Sequence, residues 1–256
     1  MRHIFLILFF ACIFLAPFVA QAGEEPVIFY SFDNVEDGTV EDLSGFDNDG
    51  ALINKPKSVN GQLGKGLEFE NNYVELSVSD SLNADFFQGS FTVVVWINAK
   101  LTGNEWQAIF TSEGPLKSRD TLFINKDGRI SWRGRVNGAW AGGMCETDPG
   151  IVEADKWTHI AVVSDEKSFR VYADGELIEE SDFQKTDGGN DVYYLADTPF
   201  SAGQSYSGVI DDFAILTRPL TTVEVKSVMG SGVEEFAAVE PAGKLATKWA
   251  MLKSAF

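Results

Sequence analysis

The sequence predicts an all-β chain folded as a two-sheet antiparallel sandwich and closed by a short helical tail. Three observations predict it. Short β-prone segments recur at regular spacing, 24 glycines punctuate the chain, and helical periodicity is confined to its C-terminal end.

Taken in order, the first segment stands apart from the fold. Met1-Arg2-His3 is basic, Ile4 to Leu15 is an unbroken apolar run, and Pro17 interrupts any helix. Ala20-Gln21-Ala22 then supplies the small-x-small pattern that signal peptidase reads. Residues 1–22 are therefore expected to be a signal peptide, with a secreted domain beginning at residue 23. Ile4 to Ala20 falls only just short of spanning length, so retention as an anchor is the competing reading. No later segment is apolar enough for a bilayer, and no membrane insertion is expected after cleavage. With Cys12 in the leader, Cys145 stands alone and no internal disulfide is expected.

Val27 to Phe32 is a β-prone opening strand. Leu67-Glu68-Phe69 and Tyr73 to Val78 alternate apolar and polar residues. Phe91 to Ile97 is a near-continuous β-branched run suited to the middle of a sheet. Thr121 to Ile124 and Arg129 to Trp132 flank Asn125-Lys126-Asp127-Gly128, a hairpin turn. Trp157 to Val163 turns through Ser164 to Lys167, and returns as Phe169 to Ala173 into Asp174-Gly175. Val209 to Ile215 is the last strand. Trp96 and Trp157 lie within apolar strands and read as core residues.

Thr222 to Val228 follows Arg218-Pro219-Leu220 and predicts one short helix ending at Gly230. Ser231 to Gly243 reads as a linker. Leu245, Trp249, Leu252 and Phe256 then fall at helical spacing beside Lys244, Lys248 and Lys253. The expected division is a sandwich over residues 23–232 and a linker with a short amphipathic helix over 233–256. That helix is expected to dock on its own domain or on a partner.

The formal net charge is −18. Such a surface repels phosphate backbones and anionic headgroups, which excludes nucleic acid as a natural partner. Cations, basic proteins and neutral ligands such as sugars remain.

Several segments together resemble the laminin-G-like jelly-roll domains of the concanavalin A-like lectin/glucanase superfamily, found in bacterial secreted proteins. They are Tyr30 to Asn34, Asp42 to Gly50, Gly64 to Phe69 with Tyr73-Val74, and Ser90 to Ile97. Lys156 to Val162, Val171 to Glu176, Gly208 to Phe213 and Arg218 to Glu224 complete the set, in order and in register. The resemblance implies a two-sheet antiparallel jelly-roll sandwich. It implies less about function, because this fold carries lectin-like modules, adhesion domains and glycosidases.

Catalysis is not expected. Sugar-cleaving relatives carry two glutamates and an aspartate along one strand, a spacing that sets an acid and a nucleophile about 5 Å apart. The nearest match, Glu180-Ser181-Asp182-Phe183-Gln184-Lys185, ends in lysine. His159 lacks metal-ligand spacing, and acidic neighbours make Cys145 a poor nucleophile.

Binding is the expected role, with a glycan or glycoprotein as ligand; a structural or adhesive protein-interaction module is the alternative. Trp140 lies beyond the strand that ends at Val136. Its ring could stack on a sugar while Arg133 or Arg135 donates hydrogen bonds, or it could simply cover the sheet edge. Trp106, Tyr193 and Tyr194 share this ambiguity, and Tyr193 joins Trp140, Arg133 and Arg135 as a candidate. A structural calcium is the expected cofactor. The resemblance brings Asp33, after the first strand, close to Asp211 in the last, with Asp212 a weaker third ligand. Asp211 and Phe213 should point to one side of their strand, which would bury the carboxylate. Asp42, Asn48 and Asp49 form a second oxygen-rich stretch, read equally well as turn formers or as ligands.

Overall fold

A computed structural model describes residues 26–114, 120–199 and 201–239. Its strands, in chain order, are β1 (Pro26–Tyr30), β2 (Val35–Glu36), β3 (Thr39–Val40), β4 (Gly50–Ile53), β5 (Lys57–Asn60), β6 (Lys65–Glu70) and β7 (Tyr73–Ser77). They continue as β8 (Phe91–Ala99), β9 (Trp106–Glu113), β10 (Asp120–Asn125), β11 (Ile130–Val136), β12 (Ala139–Glu146) and β13 (Trp157–Ser164). The last four are β14 (Ser168–Ala173), β15 (Glu176–Asp182), β16 (Val192–Leu195) and β17 (Ser207–Leu216). The one α-helix, α1, covers Thr222–Val239.

The strands form two antiparallel sheets. One has eight strands in the order β15-β14-β13-β8-β17-β6-β5, with β1 also on β17. The other has nine, in the order β12-β11-β10-β9-β16-β7-β4-β3-β2. β8 lies centrally between β13 and β17, which explains its apolar run: both of its faces are covered. Val93, Val95 and Ile97 point into the core between the sheets, while Val94 points the other way. The inter-sheet core is rich in rings, with Phe87, Phe91, Phe110, Trp132 and Phe169 in mutual contact.

The expected turns form. Asp174 and Gly175 both adopt left-handed φ (49° and 78°), the geometry of a tight hairpin between β14 and β15. A turn that was not expected, Asn137-Gly138, does the same (53° and 77°) between β11 and β12. Of the two strand tryptophans expected in the core, Trp96 is buried and Trp157 is only half-buried.

The C-terminal expectation needs correction. Thr221 opens α1 with a capping box: its Oγ1 accepts the Glu224 N–H at 3.3 Å, and Glu224 Oε2 accepts the Thr221 N–H at 2.7 Å. The helix does not end at Gly230. It kinks at Gly232 (φ 78°, ψ 166°) and continues to Val239, so Ser231 to Val239 is helix and not linker. Leu220, Val225, Val228, Val233 and Phe236 pack on Phe29, Val94, Ala161, Val163, Tyr172, Ala214 and Leu216, forming a second core on the outer side of the eight-stranded sheet. Each such side chain contributes roughly 1.5–3 kcal/mol by leaving water. The described residues accordingly belong to one compact unit. The leader and the basic stretch from Lys244 to Lys253 lie outside the described residues.

Candidate functional site

Two places gather the residues singled out from sequence: a groove on the outer face of the nine-stranded sheet, and an acidic turn beside β17.

The groove follows from strand alternation. On β10, Leu122 and Ile124 enter the core and leave Phe123 outside; on β11, Ile130 and Trp132 enter and leave Ser131, Arg133 and Arg135 outside. The Asn137-Gly138 turn brings Trp140 of β12 directly opposite Arg135. With Trp106, Phe123, Arg133, Ser201 and Gln204, this pair lines a groove of about 300 Å³. Trp140 is 41% exposed, and its ring meets Phe123 edge-on at 6.5 Å. Trp106 contacts Phe123 at 5.9 Å from the other side.

The two arginines differ in freedom. The Arg133 guanidinium lies 3.5 Å from the centroid of the Trp106 ring. Its Nε donates to Ser131 Oγ at 2.9 Å and its Nη2 to Glu146 Oε2 at 2.6 Å. Gly143 stands opposite Arg133, and a Cβ there would come within 2.6 Å of Glu146 Oε2. That glycine leaves the space in which Glu146 reaches the guanidinium. Arg135 donates one bond, from Nη2 to the Gly138 carbonyl at 3.2 Å, and makes no ion pair among the described residues.

Tyr193 does not belong to this site, which corrects the sequence-based expectation. It is fully buried, stacked on Phe110 at 5.9 Å, and its hydroxyl donates to the Asn83 carbonyl at 2.7 Å. On β16 the alternation points Tyr193 inward and Tyr194 outward, against Tyr73. Phe123, Ser201 and Gln204 were missed. Phe123 was detectable as the odd residue between two core positions of β10, whereas Ser201 and Gln204 come from a loop with no period to read.

At the acidic turn, β17 carries a bulge. Asp211 pairs with Trp96 and Ala214 with Val94, so Asp212 and Phe213 face Val95 alone. Asp212 takes left-handed φ (45°), which a short polar residue tolerates. The extra residue returns Phe213 to the core side held by Ile210 and leaves Asp211 on the other side, contrary to the expectation that Asp211 and Phe213 share one side. Its carboxylate instead reaches over the turn between β5 and β6. Oδ2 accepts the Leu63 N–H and Oδ1 the Asp212 N–H, both at 2.8 Å. Asp33 meets the same turn, accepting the Lys65 N–H at 2.8 Å. A Cβ at Gly61 would collide with the Asp211 carboxylate, and one at Gly64 with that of Asp33. Burial pushes the Asp211 carboxyl up to about 6, and burial together with Asp211 pushes Asp212 up to about 7.

Asp212 Oδ2 faces the kink of α1 and accepts the Val233 N–H at 3.4 Å, which gives it a capping role for the second half of the helix. Among the described residues, no group of three or more His, Cys, Asp or Glu side chains has metal-site spacing. Asp33 and Asp211 nonetheless supply hard oxygens, and each N–H bond leaves lone pairs unused.

The second oxygen-rich stretch is a structural knot. Asp42 accepts the N–H groups of Phe29, Ser44 and Asn48 and the Ser44 hydroxyl, while Asp49 accepts the Asp42 N–H. These are the turn-forming roles.

The remaining reactive groups are elsewhere. Cys145 is buried, donates to the Phe169 carbonyl, and is pushed up to about 11 by burial, which leaves it an inert thiol. His159 is buried on the outer side of the eight-stranded sheet, edge-on to Trp96 at 5.1 Å. Glu180 and Asp182 lie on β15, the edge strand of that sheet, where Glu180 accepts from Ser168 at 2.9 Å. Among the described residues no acid lines the groove, and no helix is long and apolar enough to cross a membrane.

Comparison with known proteins places this architecture. No curated protein sequence matches the chain. Among solved structures, the binding domain of Paraclostridial Mosquitocidal Protein 1 aligns at 19% identity and a TM-score of 0.65, covering 81% of this chain and 52% of that one. The chain thus spans about half the length of that domain. Domain 4 of AbnA, an extracellular GH43 arabinanase from Geobacillus stearothermophilus solved with arabinotriose, aligns at 18% identity and a TM-score of 0.62, over 81% of this chain and 99% of that one. The binding domain of botulinum neurotoxin DC, solved with rat synaptotagmin II, aligns at 13% identity and a TM-score of 0.62, over 81% and 51% of the two chains. These likenesses establish a shared fold. The laminin-G-type profile of the concanavalin A-like lectin/glucanases superfamily matches residues 69–226, and the chain belongs to that superfamily.

Proposed function

We propose that the protein is a secreted, non-catalytic binding module that takes a glycan or glycoprotein in the groove of the nine-stranded sheet. The observation that carries this is the pairing of an exposed Trp140 with Arg135 at the head of a groove already braced by Arg133, Glu146 and Trp106. An aromatic face flanked by fixed donors suits a sugar ring, whose axial hydrogens are apolar and whose rim is polar. The fold-mates supply support by analogy, since one was solved with arabinotriose and two are described as binding domains. Absence of acids from the groove favours binding over hydrolysis, which needs a carboxyl pair astride the scissile bond.

A structural calcium belongs to the same proposal, held by Asp33 and Asp211 with backbone carbonyls of the intervening turn. Asp211 is buried and Asp33 is exposed beside the same turn; a buried carboxylate without a cation is costly, and a divalent ion shared with Asp33 would relieve it. The test of the binding role is a glycan array with the domain and its Trp140→Ala variant. Binding that the substitution removes supports the role. Silence across the array, with capture of a protein partner unaffected by Trp140→Ala, overturns it in favour of an adhesive module.

A further inference from the structure

The groove is a cationic spot on an acidic protein. We infer that its ligand is a carboxylated glycan, with the sugar ring on Trp140 and the carboxylate on Arg135; this rests on the binding role proposed above.

Among the described residues its lining includes two arginines and no aspartate or glutamate, on a chain whose net charge is −18. The two cations are not equivalent. Glu146 neutralises Arg133, which is further held by Ser131 and the Trp106 face, so Arg133 is part of the wall. Arg135 keeps its charge. Asp187, the acid beside the 137–138 turn, spends its two oxygens on the Asn137 and Gly138 amides at 2.9 and 2.8 Å. The Arg135 Nε is buried and has no partner among the described residues. One weak bond to a carbonyl leaves most of the guanidinium fork unused.

Cross-strand partners hold their Cβ atoms about 5 Å apart, so Arg135 and Trp140 share one end of the groove. A pyranose stacked on the indole would present an exocyclic carboxylate at the guanidinium, and the planar fork matches a planar carboxylate. A polysulfated chain fits less well. It brings many charges to a groove in which, among the described residues, Arg135 is the one arginine without an ion pair, on a strongly negative chain. Uronates and sialates share the required group, and both are candidates.

The test measures affinity at low salt for two acid–neutral pairs: a galacturonate oligomer against its methyl ester, and sialyllactose against lactose. In at least one pair the acid should bind about tenfold more tightly than its neutral counterpart, the worth of one charge-assisted contact. Arg135→Gln should abolish the acid's advantage over its neutral counterpart, with an unaltered melting temperature as the folding control. Trp140→Ala should weaken both members. The pair that responds identifies the sugar class. Equal affinity for acid and neutral ligands, or tighter binding of heparin than of either acid, overturns the carboxylate inference while the binding role stands. Failure of all of these and of an array of other glycans overturns both.

Discussion

The two sheets begin from the same alternation and end with opposite outer faces. On the eight-stranded sheet the outward residues are Val94, Ala161, Val163 and Ala214, and α1 covers them with Val225, Val228, Val233 and Phe236. On the nine-stranded sheet they are Phe123, Arg133, Arg135 and Trp140, and a groove forms over them. Small aliphatic residues facing outward need a partner and obtain one from within the chain. Long amphipathic residues can cover one another through their stems and rings, and leave their polar ends for a ligand. One outer face therefore maintains the fold, while the other is available for binding. Substitutions should separate these roles.

The largest effect is expected on the covered face. Val228, on the sheet-facing side of α1, is 2% exposed, and Val228→Asp would bury an uncompensated charge at a cost of about 3–5 kcal/mol. Urea denaturation should show the midpoint falling accordingly, with glycan affinity of the remaining folded protein unchanged. A loss below about 1 kcal/mol would mean that α1 rests on the sheet without sealing it.

Next comes the acidic turn, which borders the covered face because Asp212 meets the kink of α1. A calcium present at about a hundred times its dissociation constant adds roughly 2.7 kcal/mol, or a melting shift of roughly 5–10 °C for a domain of this size. Chelation should remove that increment, and Asp211→Ala should abolish the response. If chelation leaves the melting temperature unchanged, backbone N–H groups alone hold Asp211. If it instead abolishes glycan binding without lowering the melting temperature, the ion belongs with the groove.

His159 gives a pH-dependent handle on the covered face. Burial lowers its imidazole to about 3, against about 6.5 in the unfolded chain. The unfolded state therefore binds more protons between these values, so this contribution is complete above pH 6.5 and is lost as pH falls toward 3. At pH 5 the loss relative to pH 7.5 is about 2 kcal/mol. His159→Phe keeps a ring against Trp96 and should flatten this part of the acid limb, with the carboxylates common to both proteins cancelling. Parallel stability curves for the two proteins between pH 7.5 and 5 would show that water reaches His159.

How much of this was legible in the sequence depended on whether a regular period governed the residue. β8, the Asp-Gly turns and the burial of Trp96 follow from alternation and turn chemistry. Asp211 is buried as expected, but it does not share a side with Phe213, because one extra residue, Asp212, inverts the alternation, and a bulge has no composition signal when its left-handed residue is Asp rather than Gly. The helix beyond Gly230 was missed because Gly230 and Gly232 resemble a stop, whereas Gly232 is a kink whose following N–H finds Asp212. Tyr193 and Tyr194 are adjacent, so one register decides which is core, and four residues of strand were too few to fix it. At the groove, the Asn137-Gly138 pair was a readable hairpin signal that sets Arg135 opposite Trp140. Ser201 and Gln204 arrive by loop closure across the sheet, which local pattern does not encode.

The smallest stability effect is expected where the functional effect is largest. Trp140 is the most exposed tryptophan among the described residues; its documented ring contact is the edge of Phe123. Its removal deletes little buried area, and substitutions at such sites usually change stability by no more than about 0.5 kcal/mol. Trp140→Ala should therefore melt with the parent protein, in contrast to Val228→Asp, while losing the glycan. Arg133→Ala is the informative companion, because it removes the cation over Trp106 and leaves Glu146 with the Ser131 hydroxyl but no ionic partner. It should cost more stability than Trp140→Ala even though both residues line one groove. Equal, large losses from both would show that the nine-stranded sheet uses its groove residues to maintain the fold, as the other sheet uses its helix, and the division between the two faces would fail.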